Sequence, residues 1–279
     1  MIRMGEFNEL EIVRVSAFGY YLNAETGKTT DDILLPINNV VGKELNVKDR
    51  VNAFIYRDSK DRLIATLKEP KAKVGDIAYL KIVSVTGLGA FADFGLERDV
   101  FIPLKEQSYK LEVEKEYLLY IYVDKTGRLA ATTNIDRYLS VKEEVQLGDE
   151  VSGIVYGYQT NNSLMIAVDG EFKGVVLKNE YFNDIKPGDK LTLRVKKIYE
   201  DGMVGLTPRN QKLAERSSIQ TLILDYLKEN NGEMPFNDKS KPEDIKRVFK
   251  SSKNYFKMAL GGLMKEGLIE QGDFGTRLK

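Results

Sequence analysis

The sequence contains no cysteine and no histidine. Without cysteine there is no disulfide, no thiolate nucleophile and no sulfur-ligated zinc. Without histidine, the serine–histidine and cysteine–histidine catalytic pairs, imidazole general-base chemistry and the commonest metal ligand all drop out. Only carboxylate, lysine or tyrosine chemistry stays open to an enzyme. Nor is there a run of about 20 apolar residues, the length a membrane helix needs. The opening Met1-Ile2-Arg3-Met4-Gly5-Glu6 has no apolar core and no small-residue cleavage site. It predicts a cytoplasmic protein with no secretory leader and no membrane partner.

Excess charge is also missing: 42 basic side chains face 42 acidic ones in 279 residues. The balance is uneven along the chain. Residues 147–208 carry 7 basic and 9 acidic side chains, whereas residues 209–279 carry 14 and 10. A basic tail on a neutral chain suggests a polyanion partner, although a solvated tail is the plainer reading. With 42% apolar and 30% charged residues, the composition is that of a folded chain of one large domain or several modest ones.

What the chain does have is a threefold repeat. Met4-Gly5-Glu6, Val74-Gly75-Asp76 and Leu147-Gly148-Asp149 each open an alternating apolar run, such as Leu80-Lys81-Ile82-Val83-Ser84-Val85. A second short run follows, containing Phe18-Gly19-Tyr20-Tyr21, Leu88-Gly89-Ala90-Phe91 or Ser163-Leu164-Met165-Ile166. Then come Ile33-Leu34-Leu35, Val100-Phe101-Ile102 and Val175-Val176-Leu177, and each copy closes on a hairpin. Period-two alternation with turn residues between the runs predicts about five short strands per copy, the size of an OB-type barrel. Three unrelated β-sandwiches are the alternative. Gly19 and Gly89 fall inside strand patterns, where glycine marks a bulge or a tight corner.

The last seventy residues change period. Ile219, Leu222, Ile223, Tyr226 and Leu227 form the stripe of an amphipathic helix over 216–229. Ser240 is the expected N-cap of a second helix with Pro242 in its first turn, running to about Lys250. Ser252 caps a third helix, which Gly267 stops. Leu268-Ile269-Glu270 and Thr276-Arg277-Leu278 then flank a turn, as in a hairpin. Three helices and a two-stranded wing give a winged-helix domain, its third helix being the recognition helix in a nucleic-acid binder. The expected fold is therefore multi-domain and mainly β. Barrels span 1–70, 71–146 and 147–210, and the α+β winged helix spans 211–279.

The opening Gly-Asp, Lys81 before Ile82, Gly89-Ala90-Phe91 and the Asp124 to Arg128 hairpin resemble the S1-like RNA-binding domain, an OB-fold. Three such units followed by a winged helix are similar to the conserved virulence factor B family of bacterial RNA-binding regulators. The segment Asn237-Asp238-Lys239-Ser240-Lys241-Pro242-Glu243 suits that resemblance. It implies a non-enzymatic, monomeric protein without cofactors that binds single-stranded RNA, with RNA-processing proteins as further partners. It also implies that outward aromatics stack bases at Phe18 and Tyr21 in the first unit, and at Leu88 and Phe91 in the second. The usual histidine falls on Leu35, Ile102 and Leu177, so that contact is lost. The hairpin Asp and Arg of the family's site match Asp58 with Arg62 and Asp124 with Arg128, which puts Arg62 and Arg128 among the RNA contacts. An exposed cross-turn ion pair is the plainer reading. The third unit lacks the aromatic pair.

Stacking on an aromatic contributes about 1–3 kcal/mol per base, and cations along a groove follow the phosphates. The third unit offers Lys173, Arg194, Lys196 and Lys197, with Tyr156 and Tyr158 as stacking surfaces. The tail offers Lys246, Arg247, Lys250, Lys253 and Lys257, with Lys239 and Lys241 ahead of them. A winged helix docked on the third unit would bring the two sets to one groove. By charge, the larger share of binding falls on the third unit and the winged helix. Lys196 with Lys197, like Arg247 with Lys250, is expected to be replaceable without unfolding. Core packing for the aromatics and solvated faces for the cations are the plainer alternatives. A protein-interaction scaffold, or an RNA-processing adaptor or enzyme handle, also remains open.

Overall fold

The computed structural model describes residues 2–42, 44–141, 145–208 and 212–279. The boundary expected between residues 210 and 211 lies outside the described residues. Barrel 1 is built from β1 (Phe7–Ser16), β2 (Gly19–Leu22), β3 (Ile33–Pro36), β4 (Arg50–Arg57) and β5 (Leu63–Thr66). Barrel 2 has β6 (Ile77–Val85), β7 (Gly89–Ala92), β8 (Val100–Pro103), β9 (Glu116–Val123) and β10 (Leu129–Thr132). Barrel 3 has β11 (Glu150–Tyr158), β12 (Leu164–Val168), β13 (Phe172–Val176), β14 (Lys190–Ile198) and β15 (Val204–Thr207).

All three sheets close with the same order: first, second, third, fifth, fourth strand. The third and fifth strands run parallel, pairing Leu34 with Ile64, Phe101 with Ala130 and Val175 with Gly205. These are OB-type barrels, not sandwiches. Alternation sends Leu10 and Ile12, or Leu80 and Ile82, into the core of each barrel. One extra residue then breaks the register of each first strand against the second: Val13, Val83 and Tyr156. Such a bulge re-aims the strand and increases its twist. At Gly19 and Gly89 the corner is tight because backbones nearly touch. A Cβ there would sit 2.1 Å from the Leu35 oxygen and 2.3 Å from the Ile102 oxygen.

The barrels are joined by packed interfaces. Phe54 of barrel 1 lies 5.5 Å from Phe7 and 6.2 Å from Phe94 of barrel 2, ring centre to ring centre. The Val74 amide donates to the Gly5 oxygen at 3.0 Å. Between barrels 2 and 3, Leu118, Ile135, Leu139, Tyr156 and Ala167 form a separate apolar cluster. Beside it the Tyr79 hydroxyl donates to the Gly188 oxygen at 2.7 Å.

The C-terminal part contains α1 (Lys212–Glu229), β16 (Glu233–Met234), α2 (Pro242–Phe249), α3 (Lys253–Lys265), β17 (Ile269–Gly272) and β18 (Gly275–Leu278). Its core gathers Ile219, Ile223, Leu227, Ile245, Phe249, Phe256 and Leu260. The first helix starts four residues before the expected Arg216. The N-cap of α2 is Lys241, not Ser240. Ser240 instead accepts the Asn237 amide at 2.9 Å, closing the turn that leads into the helix. Ser252 does cap α3, accepting the Tyr255 amide at 3.3 Å. The wing has three strands, because β16 pairs with β18. Among the described residues, no helix is long and apolar enough to cross a membrane.

Candidate nucleic-acid interface

Antiparallel pairing of the second and third strands sets Tyr21 opposite Leu34 and Phe91 opposite Phe101. Leu35 and Ile102, the positions matched to the S1 histidine, are fully buried. The outward residue is therefore one earlier on the strand, which corrects the alignment and adds Phe101 to the face. The Phe91 and Phe101 rings lie 5.0 Å apart. Phe18 and Leu88, at the preceding turns, are 76% and 80% exposed. Leaving such side chains in water forgoes apolar burial, so they are not core residues. Tyr21 is half-buried, with the Arg14 guanidinium 3.7 Å above its ring.

Barrel 2's face forms one side of a cavity of about 670 Å³, and barrel 1 forms the other through Tyr56, Arg57, Asp58 and Ser59. A second cavity of about 860 Å³ lies on barrel 1's own face, lined by Tyr21, Leu34 and Arg62 but also by Glu25, Asp31 and Asp32. Arg62 makes the expected cross-turn pair, its Nη2 being 2.7 Å from Asp58 Oδ2. Arg128 does not. It reaches across the joint to clasp both carboxylate oxygens of Asp61 in barrel 1. Asp124 instead accepts the Thr126 hydroxyl and the Thr126 and Arg128 amides. The Arg128 guanidinium holds the Asp61 carboxyl below the usual carboxylate range.

In barrel 3 the equivalent pair is Met165 and Val175. Met165 packs into the cluster between barrels 2 and 3, and the residues after β10 lie along β13 through a Ser140–Phe172 bridge. Tyr156, expected to stack bases, is 5% exposed, and its hydroxyl donates to Asp136 Oδ1 at 2.8 Å. As the bulged residue of β11 it is turned into the joint. Lys173 pairs with the same carboxylate at 3.0 Å. Burial works against ionised Asp136, but Tyr156 and Lys173 outweigh it and lower its pKa.

A lowered pKa contributes stability above the unfolded carboxylate range, which is lost as pH falls through the folded value. Tyr156→Phe is therefore expected to cost about 1 kcal/mol at neutral pH, the net worth of one hydrogen bond. The deficit is expected to shrink in acid, as read by denaturation of wild type and variant in parallel. An equal deficit at both pH values would remove Asp136 from the account.

Tyr158 is exposed, its hydroxyl donating to the Ile185 oxygen at 2.6 Å. Arg194 Nη1 donates to the Gly148 oxygen at 3.1 Å. Lys197 stays on the surface, 4.6 Å from the Tyr199 ring centre. Lys196 differs from it. Its Nζ is 2.5 Å from Oε1 of Glu180, a side chain only 6% exposed, while Thr207 donates to Oε2 at 2.8 Å. The expectation that Lys196 is dispensable to the fold is corrected by this pair.

The winged helix and barrel 3 share a cavity of about 480 Å³, lined by Tyr181 and Phe182 on one side and Leu222, Phe249 and Lys250 on the other. Of the two cation sets expected to face one groove, however, Lys250 alone is among its lining residues. Lys246 Nζ lies 5.8 Å from the Phe182 ring centre. Arg247 pairs with Asp244 at 2.8 Å, and Lys257 with Asp238 at 3.7 Å. Lys239 is 3.8 Å from Asp273, and Lys253 donates to the Lys239 oxygen at 3.4 Å. Lys250, left-handed at the end of α2, and Lys241 form no ion pair with a described residue. Sequence reading missed Phe274, 96% exposed at the wing tip, although its Gly272-Asp273-Phe274-Gly275 turn was visible.

Three closed barrels with two open aromatic faces and a terminal winged helix define a chain of S1-type modules. Residues 4–68 and 74–134 match the S1 domain, and residues 221–278 match the CvfB-like winged helix domain. The chain is 31% identical to the uncharacterized protein YitL of Bacillus subtilis, over 97% of this chain and 92% of that one. It is 26% identical to Conserved virulence factor B of Staphylococcus epidermidis, over 95% and 91%. A crystal structure of a multidomain protein with nucleic acid binding domains from Streptococcus pneumoniae superposes with a TM-score of 0.54 at 26% identity, covering 99% of this chain and 98% of that one. The chain belongs to the CvfB-like family.

Proposed function

We propose that the protein binds single-stranded RNA and regulates bacterial gene expression after transcription, without catalysing a reaction. The observation that carries this reading is the open pair Phe91 and Phe101, standing outward on the second and third strands of an S1-type barrel. Aromatic faces there stack bases regardless of sequence. The lysines of the winged helix, Lys241 and Lys250 foremost, meet the phosphates. Relatives named for virulence and a neighbour with nucleic acid binding domains support the same reading. In it the protein works as a cytoplasmic monomer, with RNA-processing proteins as further partners. The exposed Phe274 favours a second reading, a scaffold whose wing docks protein.

Binding is expected to weaken steeply between about 50 and about 200 mM salt, because each phosphate contact releases counterions. Filter binding of an oligouridylate, with a deoxy competitor, measures this. Equal affinity at both salts would discard the electrostatic part. Absence of binding at either salt would leave the scaffold, which crosslinking to cellular RNA tests independently.

A further inference from the structure

We infer that barrels 1 and 2 form one composite cleft, in which the β4–β5 hairpin of barrel 1 is the second wall of the stacking site on barrel 2. The ligand is a single-stranded polynucleotide whose bases pass between that hairpin and the Phe91–Phe101 pair. The inference rests on the RNA-binding reading and adds where the strand must run.

Several independent observations point there. The cavity of about 670 Å³ is lined by Phe91, Phe101 and Leu88 from barrel 2 and by Tyr56, Arg57 and Ser59 from barrel 1. Its floor is apolar and aromatic. Arginines from both barrels stand at its edge: Arg57, Arg98 and Arg128. That combination, flat apolar surface beside cationic groups, is what a single strand needs. Asp58, Asp99 and Asp124 also line the cavity, so the charge is mixed. Burial raises the pKa of the Asp99 carboxyl.

The joint that holds the two walls is made twice over. Arg57 Nε donates to the Gly127 oxygen at 3.1 Å, and its Nη1 donates to the Asp61 oxygen. Arg128 grips Asp61 from the other side. Exposed pairs of this kind contribute little by themselves. Beneath them lies the apolar contact of Phe7, Phe54 and Tyr56 with Val74, Phe94 and Leu129, in one continuous core. The wall is therefore fixed by packing and aligned by the ion pair. Asp61 is a positioning residue: it lies outside the cleft lining and acts through Arg128.

The protein has no tryptophan, so one placed on the wall is its only indole and can be excited selectively beside the 15 tyrosines. Ser59 is exposed in the turn of the hairpin, where a larger side chain meets solvent and the cleft, not the core. The test titrates full-length Ser59→Trp with fluorescein-free oligouridylate of about 12 nucleotides, within the site sizes of OB folds. Anisotropy of a labelled copy of the same strand follows binding in parallel. The expected result is quenching of the indole in step with binding, shifted to higher strand concentration by adding Phe101→Leu in barrel 2. Asp61→Asn is expected to leave the fold intact and weaken the wild-type complex severalfold. Binding by anisotropy with an unchanged indole signal would overturn the composite cleft and leave RNA binding standing. No binding by the wild-type chain would overturn both.

Discussion

Replacing Phe91 and Phe101 together by leucine is expected to lower RNA affinity about 10- to 100-fold with little change in folding. Loss of stacking accounts for the first part, at about 1–3 kcal/mol per base, with 1.4 kcal/mol being tenfold in affinity. The second part follows from barrel 1. There the position of Phe101 is held by Leu34, paired with Tyr21 as Phe101 is with Phe91. The same barrel closes around leucine at that site. Leucine keeps the apolar volume over Gly89, where the Phe101 ring packs near the backbone, and removes only the π-face. The loss is expected to be similar for different RNA sequences, because every base offers a face to stack. An unchanged affinity, measured by filter binding beside a melting curve, would show that the strand does not cross this barrel.

Much of this face was legible from the sequence, and the part that was not had a physical cause. The S1-like resemblance placed Phe91 outward, and period two agrees with it, since Ala90 and Ala92 on either side are fully buried. The histidine alignment failed by one residue in barrels 1 and 2 and by two in barrel 3, and a one-residue slip turns a side chain to the other face of the sheet. Parity alone would have corrected it: Val100 and Ile102 are buried, so Phe101 between them is not. Arg128 could not be read from its neighbours, because its partner Asp61 lies 67 residues away on another barrel. Tyr156 was misread because a bulge redirects it, and no pattern in β11 announces the bulge. Strand β16 is two residues long and shows no alternation at all.

Charge was the least transparent signal. The basic run from Lys239 to Lys257 reads as one patch, yet the structure pairs Arg247 with Asp244 and Lys257 with Asp238. Exposed pairs break at little cost when a phosphate competes, so these cations remain available to a polyanion. Lys196 is held differently, by a carboxylate only 6% exposed, whereas the Asp136 carboxylate that holds Lys173 is 47% exposed. Sequence spacing lists cations. Burial of the partner decides which of them are free to leave.

That distinction gives the sharpest contrast on barrel 3, between Lys196 and its neighbour. Lys196→Ala is expected to destabilise the protein by about 1–3 kcal/mol, the cost of leaving a buried charged group short of a partner. The estimate is taken below the full cost of a buried pair because the lysine side chain is 59% exposed whereas Glu180 is 6% exposed. Glu180→Gln combined with Lys196→Met is expected to recover part of the loss, since no carboxylate is then left behind. Lys197→Ala removes an exposed cation above Tyr199 and is expected to shift melting only slightly. Its effect belongs to binding: a uniform loss across RNA sequences, with the salt slope falling by roughly 0.7 for one phosphate contact on a single strand. Denaturation curves and salt-dependent filter binding on the two single variants separate these roles. If Lys196→Ala melted like wild type and lost the larger share of RNA affinity, the Glu180 pair would be incidental, and Lys196 would join Lys197 as a phosphate contact.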